Sequence, residues 1–471
     1  MPRPLLLTGG SVVDVRTGSV AVRSVLVRDG RIAAVGDGPV AEPSTGDVDR
    51  VDVSGRWIVP GYNDMHAHTL ELSDPADAFA LMLTYGVTGF RQMSGSPALL
   101  ERRRDGRLPD AGPALLALPG ALLTPLNAGT ADRARATVRE QAAQGADFVK
   151  MGLVTAAVHP AAQEEANRVG IPLGGHLPSG ADALAAARAG LRFVEHVGPG
   201  LGVLSSCSPD KAAIEADLLG RRGLPVPTVR FPFADKVFGA LLRRIVVNPA
   251  LLTRPDEIAI MRRALDTFDE DAARSVARVF AETDTWHCPT LIRERTNERG
   301  DDCALHGHSD LRFVSPGTMK LWERTARRFR KLPPATREVF RDLYAAQLRL
   351  TGILAEEGVG ILAGSDVTGA SWEVPGTSLH QEFDELAAAG LSPLRILQST
   401  TVDPARFLGL DDEIGTVEIG RRADLVVLDG DPTADVANLH RVAGVVRAGT
   451  HHSRADLDAT RQRLAADRRA A

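Results

Sequence analysis

At 471 residues the chain is too long for one small domain and fits one large domain with an elaboration, or two to three smaller ones. Its 55 basic residues against 60 acidic ones leave a net charge of −5, which excludes the positive field that gathers nucleic acid, and 44% hydrophobic with 24% charged residues excludes a disordered chain. No apolar run is long enough for a signal h-region or a membrane span, and Cys207, Cys288 and Cys303 form no CxxC pair, so the sequence reads as a cytoplasmic protein with buried cysteines and no disulfide framework.

Residues 4 to about 36 alternate as short strands, with Asp29-Gly30 between two apolar runs as a hairpin turn. The same texture returns in GTVEIGRRADLVVLDGDP and RVAGVVRAGT, so both ends are expected to form one sheet domain, residues 1–56 with 409–471. The middle, 57–408, alternates short apolar runs with helical stretches, the pattern of repeated βα units and a parallel barrel. Eight strands are predicted, in WIVPGYND, VTGFRQMSG, GPALLALPG, ADFVKMG, GIPLGGHL, LRFVEHV, TWHCPTLI and GVGILAGSD. From Lys150 to His176 and on to His196 the spacings are 26 and 20 residues, one βα unit each. The next two gaps, 91 and 79 residues to His287 and Asp366, each carry an excess, which predicts helical insertions at 197–284 and 293–358, part of them capping the barrel mouth. The Ala/Arg-rich tail after about Ser453 predicts a surface helix.

His66-Ala67-His68 closes the first predicted barrel strand. Residues i and i+2 of a strand point to one side, so both imidazoles can converge on one metal, and the C-terminal ends of strands are where barrel enzymes build their sites. His306-Gly307-His308 and His451-His452 have similar spacing but sit in polar loop and tail and read as structural. His176, His196 and Asp366 close the fifth, sixth and eighth strands. Lys150 closes the fourth and is one of only five lysines in the chain. An ammonium among four histidines would repel a divalent cation, so this lysine needs another chemical state.

The combination VPGYNDMHAH, ADFVKMG, GGHLPSG, FVEHVG and ILAGSDVTG, followed by GTVEIGRRADLVVLD, resembles the amidohydrolase superfamily, near the imidazolonepropionase and prolidase-like branch, over about residues 4–450. The resemblance implies an α/β fold, a (β/α)8 TIM barrel beside a small β-sandwich built from both termini. It implies two divalent metals, zinc being the better match to imidazoles and a carboxylate, with His66, His68 and Asp366 on one and His176 and His196 on the other. Lys150 would bridge them as a carbamate, which removes the electrostatic objection. A hydroxide shared by the two cations would attack an amide, of an N-acyl amino acid, dipeptide or cyclic amide, with Asp366 moving the proton to the leaving amine. Lactone or ester hydrolysis, dehydration or cyclisation, and decarboxylation are alternatives that the same ligands allow, and a barrel that has lost catalysis is the reading from another class.

Substrate contacts are less sharply drawn. Where the branch often carries a histidine after the third strand, this chain has Pro125, Leu126 and Asn127. Arg230 and Arg293 are candidates to pair with a substrate carboxylate. His287 reads equally as a core histidine or a substrate contact; His380 is expected to orient the Asp366 loop or pack on a helix, and Tyr62, Gln92 and Trp372 to line the pocket. The expected partner is a small-molecule substrate, without nucleic acid or membrane, in a homo-oligomer.

Overall fold

The computed structural model describes residues 3–37, 48–72, 74–109, 111–197, 200–220 and 247–470. The chain opens with β1 (Leu5–Val13), β2 (Val20–Arg28) and β3 (Arg31–Gly36), antiparallel neighbours in that order. Asp29 and Gly30 turn between β2 and β3 with φ of 52° and 74°, the left-handed pair that a tight hairpin requires. Next, β4 (Asp49–Asp52) and β5 (Trp57–Pro60) lie parallel to β1.

The predicted strand 57–64 is two strands. Gly61 breaks it, donating its N–H to Asp424 O at 2.7 Å, and a Cβ there would fall 1.9 Å from Thr88 Oγ1. With no side chain to place, the backbone passes close against the neighbouring strand and changes sheet. The boundary between the terminal sheet and the parallel strands therefore lies at Gly61 rather than before Trp57. An unbroken apolar run carries no sign of it.

From Gly61 on, the strands are parallel. β6 (Tyr62–Ala67), β7 (Val87–Gln92) and β8 (Ala114–Ala117) form one sheet, and β9 (Val149–Met151), β10 (Leu173–Gly175), β11 (Phe193–Glu195) and β12 (Trp286–Cys288) another. All but β8 are buried on both faces, which is why they read as apolar runs rather than as alternation. Parallel bridges join them: Leu123 to Met151 on one side, and on the other the segment 361–367, through Ile361 to His287 and Val367 to Ala67. That segment is the predicted eighth strand, reduced to single bridges. Met65, Met93, Phe148, Phe193, Trp286 and Leu362 pack between the strands.

The fold is thus α/β with parallel strands, helices between them, and helical insertions where the long gaps predicted them. Lys211–Leu219, Pro255–Asp266 and Glu270–Glu282 lie before β12; Leu291–Glu298, Cys303–His306, Pro316–Arg330 and Pro334–Glu356 lie after it. The chain then returns to the first sheet as β13 (Leu425–Leu428), β14 (Val442–Arg447) and β15 (Thr450–Ser453), giving eight strands in the order β15-β14-β13-β5-β1-β2-β3 with β4 beside β1. This sheet has its own core, including Leu7, Val25, Ile58, Leu425 and Val446. The tail is the helix Arg454–Ala470, held to the helix Ala76–Thr84 where Arg461 Nη2 donates to Thr84 O at 2.6 Å. Cys207 and Cys288 are buried as expected. Cys303 is exposed, because it begins a short helix on the outside of the second insertion. No helix among the described residues is long and apolar enough to cross a membrane.

Candidate metal centre

The parallel strands deliver His66, Lys150, His176, His196 and Asp366 to one end. His66 ends on β6 and His68 lies just past it. Their Nε2 atoms stand 3.1 and 3.0 Å from the same oxygen, Asp366 Oδ1, and one ligand atom from each of the three lies within 4.8 Å of the others. Asp366 is locked to that strand, its N–H donating to His66 O at 2.7 Å. Asp64, two residues before His66, accepts Ser365 N at 3.0 Å and Ser365 Oγ at 2.6 Å, so the loop carrying Asp366 is tied at both ends of the HxH strand.

On the far side, the His196 ring lies 5.0 Å from that of His66 and 4.9 Å from that of His176, centroid to centroid. His196 Nε2 is 4.0 Å from Asp366 Oδ2. The four histidines share a pattern. Each Nδ1 faces an acceptor: Glu195 Oε2 at 2.5 Å for His66, Ser94 Oγ at 2.7 Å for His68, Gly152 O at 3.0 Å for His176 and Thr290 Oγ1 at 2.5 Å for His196. Ser94 and Thr290 direct their own hydroxyl protons to Glu71 and to Pro289 O, which leaves their oxygens free to accept. With Nδ1 protonated in each case, four Nε2 lone pairs are available for a cation.

Lys150 and Asp366 complete the group. Lys150 Nζ and Asp366 Oδ1 are buried and neither has a hydrogen-bond partner among the described residues. Burial lowers the affinity of Lys150 for its proton, against the pull of Glu195 and Asp366. Burial, then Lys150, pushes His176 down to about 3, and burial drives His196 well below its ordinary range. Three members of the site region bear left-handed backbone, His196 at φ 59°, Thr290 at 45° and Asp366 at 54°. That conformation costs of order 1–3 kcal/mol per residue and collects where function constrains geometry. Imidazole nitrogens, a carboxylate and an unpartnered amine in one buried cluster form a donor set that fits divalent transition metals.

The predicted substrate residues divide. Arg293 reaches the site, but its Nε lies 3.0 Å from Asp366 Oδ2 and its Nη1 donates to Asn297 at 2.8 Å. His287 does not face the strand interior: Trp286 and Cys288 on either side of it do, and its ring nitrogens are buried without partners among the described residues, with burial pushing it down to about 4. Tyr62 donates its hydroxyl to Leu439 O at 3.0 Å, and His380 Nε2 meets Tyr85 O at 2.8 Å with its ring against Phe383, so both pack between helix and strand rather than at the site. Gln92 accepts Leu70 N at 3.1 Å and so braces the turn after His68. Trp372 is buried 4.2 Å from the His306 ring and 5.5 Å from Trp322, pinning the loop after Asp366 to the second insertion. Arg230 lies outside the described residues.

Four buried charged residues near the cluster carried no prediction: Arg91, Glu195, Glu294 and Glu373. The first two had a visible signal, a charge inside an apolar run, in VTGFRQ and in LRFVEH. Glu294, pushed up to about 7 by burial, stands 3.6 Å from His196 Nδ1, and Glu373 accepts Ala370 N at 2.8 Å in the Asp366 loop.

The amidohydrolase family pattern matches residues 345–451. A dihydroorotase of Pelotomaculum thermopropionicum is 26% identical over 443 residues, 91% of this chain and 89% of its own length. The solved structure of a bottromycin amidohydrolase is 25% identical with a TM-score of 0.70, covering 99% of this chain and 91% of that one. That of a prolidase from Bifidobacterium longum, 19% identical with a TM-score of 0.61 over 98% of this chain and 99% of that one, shares the fold. Fold and sequence together define a hydrolase acting on carbon–nitrogen bonds, carried on an α/β fold with parallel strands. The chain thus carries the amidohydrolase family pattern over residues 345–451 and is similar along nearly its whole length to a dihydroorotase and to an amidohydrolase of known structure.

Proposed function

We propose that the chain is a metal-dependent hydrolase cleaving an amide bond in a small molecule, on a closed (β/α)8 barrel with the terminal sheet as a second domain. His66, His68 and Asp366 would hold one divalent cation and His176 and His196 a second, with Lys150, carboxylated to a carbamate, as a further ligand. The observation that carries this reading is the common orientation of the four histidines, every Nδ1 turned to an acceptor and Asp366 Oδ1 unpartnered beside two of the Nε2 atoms. The neutral amine is the form that takes up carbon dioxide, and burial of Lys150 Nζ, which disfavours its charged form, supports the carbamate.

Bound cations of this kind, zinc first by donor chemistry, supply Lewis acidity toward water and the scissile carbonyl. The rest falls to the chain. Asp366 takes a proton from the attacking water at its carboxylate and passes it to the leaving nitrogen. Arg293, gripping Oδ2 and anchored on Asn297, fixes the carboxylate rotamer for that transfer. Thr290 and Ser94 keep His196 and His68 in one tautomer throughout. The relatives named dihydroorotase and prolidase support a cyclic amide or a dipeptide as the substrate class.

Metal analysis of the purified chain, with an assay of cyclic amides, N-acyl amino acids and dipeptides, tests the reading. Close to two divalent transition metals per chain and turnover of at least one amide class are expected. A protein that stays empty or holds only magnesium after reconstitution with zinc would overturn it.

A further inference from the structure

Among the four Nδ1 partners three are neutral, a carbonyl and two hydroxyls. The fourth is a carboxylate. Glu195 Oε2 lies 2.5 Å from His66 Nδ1, and Glu195 Oε1 accepts a hydrogen bond from Arg91 Nη2 at 2.6 Å. Arg91 also donates from Nε to Met65 O at 2.6 Å, so one guanidinium grips both the carboxylate and the backbone just before His66. Arg91 and Glu195 are 0% exposed and His66 1%. Phe193, Phe407 and Phe148 surround the guanidinium with ring centroids at 4.8, 5.1 and 5.6 Å, which offsets part of the cost of burying it.

We infer that Glu195, clamped by Arg91, is a positioning residue that fixes the proton of His66 on Nδ1 and aims the Nε2 lone pair at the metal position beside Asp366. The inference rests on the proposed role of His66 as a ligand. A carboxylate is an acceptor only, so a neutral imidazole 2.5 Å away must place its proton between them. The charge-assisted bond also makes His66 the most electron-rich of the four imidazoles. His66, Glu195 and Cys288 form a second group with the composition of a metal site, but the guanidinium on Glu195 Oε1 marks this corner for a proton rather than a cation.

Glu195→Gln separates position from packing, because it keeps the shape and frustrates the hydrogen bonds. If the amide oxygen faces Arg91, its NH2 confronts His66 Nδ1 and forces the other tautomer; if the oxygen faces His66, the NH2 confronts the guanidinium. The full-length chain, stripped with chelator, is titrated with cobalt(II) as wild type and as Glu195→Gln. The tautomer of His66 is read from its imidazole 15N shifts in both, assigned by the signal lost in His66→Asn. Expected are an Nδ1–H His66 in the wild type, and in Glu195→Gln an altered 15N pattern with cobalt(II) held roughly 10–100-fold more weakly, the usual cost of losing a partner behind a ligand. An unchanged tautomer with unchanged affinity in Glu195→Gln overturns the inference. So does an Nε2–H His66 in the wild type, a reading that needs no folded variant. If wild type shows Nδ1–H but takes up no cobalt(II), the positioning role stands and the metal reading falls.

Discussion

The proposed function gives Asp366 both proton transfer and ligation, and replacing it by Asn separates the two. The amide keeps the size and loses the basicity. In Asp366→Asn, kcat should fall by about 10²–10⁴ with KM little changed, with metal counted in the same sample. Near wild-type turnover with full metal content would leave Asp366 a ligand only. Lys150→Ala removes the one amine in the cluster, and the metal content should drop toward half with activity lost. Partial recovery on adding short carboxylic acids is expected, since these can stand where the carbamate would. A fully active Lys150→Ala enzyme would remove the carbamate. Both residues were legible in the sequence, Lys150 because lysine is rare in this chain and Asp366 because it closes an apolar run. Arg293 was legible only as an arginine near a strand. Its actual partner, Asp366, is supplied by a distant loop, and no local pattern encodes that pairing.

At the scale of elements, the segment 361–367 carries Asp366 with very little regular structure. It holds single bridges to β6 and β12, and its place is set by close packing. A Cβ on Gly364 would lie 2.7 Å from both Cys288 Sγ and His66 Cβ and 2.9 Å from His66 N. Gly364→Ala must therefore push the segment away from the HxH strand, at a cost of about 1–3 kcal/mol in urea unfolding of the metal-free chain. It should also weaken cobalt(II) binding, because Asp366 moves relative to His66 and His68. Stability within about 0.5 kcal/mol of wild type would show that the segment has room the packing denies. The strands before it were readable from buried apolar runs ending in chemistry-bearing residues. The break at Gly61 was not, because a run buried in two successive sheets is apolar throughout. His287 stayed evenly divided between core and substrate contact for a related reason: a strand buried on both faces gives no alternation to say which side is the interior.

The terminal sheet and the parallel strands are one continuous piece of chain across Gly61, and β13 pairs with β5 immediately before the HxH strand. Val427, 1% exposed in the core of that sheet, sits opposite Ile58. Val427→Ala should cost about 1–3 kcal/mol and shift sheet unfolding and metal release together, as one transition, when circular dichroism and a metal indicator are followed in the same urea series. Two separated transitions would mean that the sheet and the metal centre unfold independently. The sequence predicted that both termini share a sheet, since their β-branched texture matches. It did not predict that this sheet is wired directly to the strand of His66 and His68, because pairing partners far apart in the chain leave no local trace.

That pairing also sets an order in time. The strand leading into His66 and His68 leaves the ribosome early, but its neighbour Leu425–Leu428 is made only after nearly all of the intervening chain, some tens of seconds later at ~5–20 residues per second. Asp366 likewise follows most of the barrel. On a nascent chain the two histidines therefore stand without their carboxylate and without the sheet that braces them, and the cations should be acquired after synthesis, from whatever metal pool the finished protein meets.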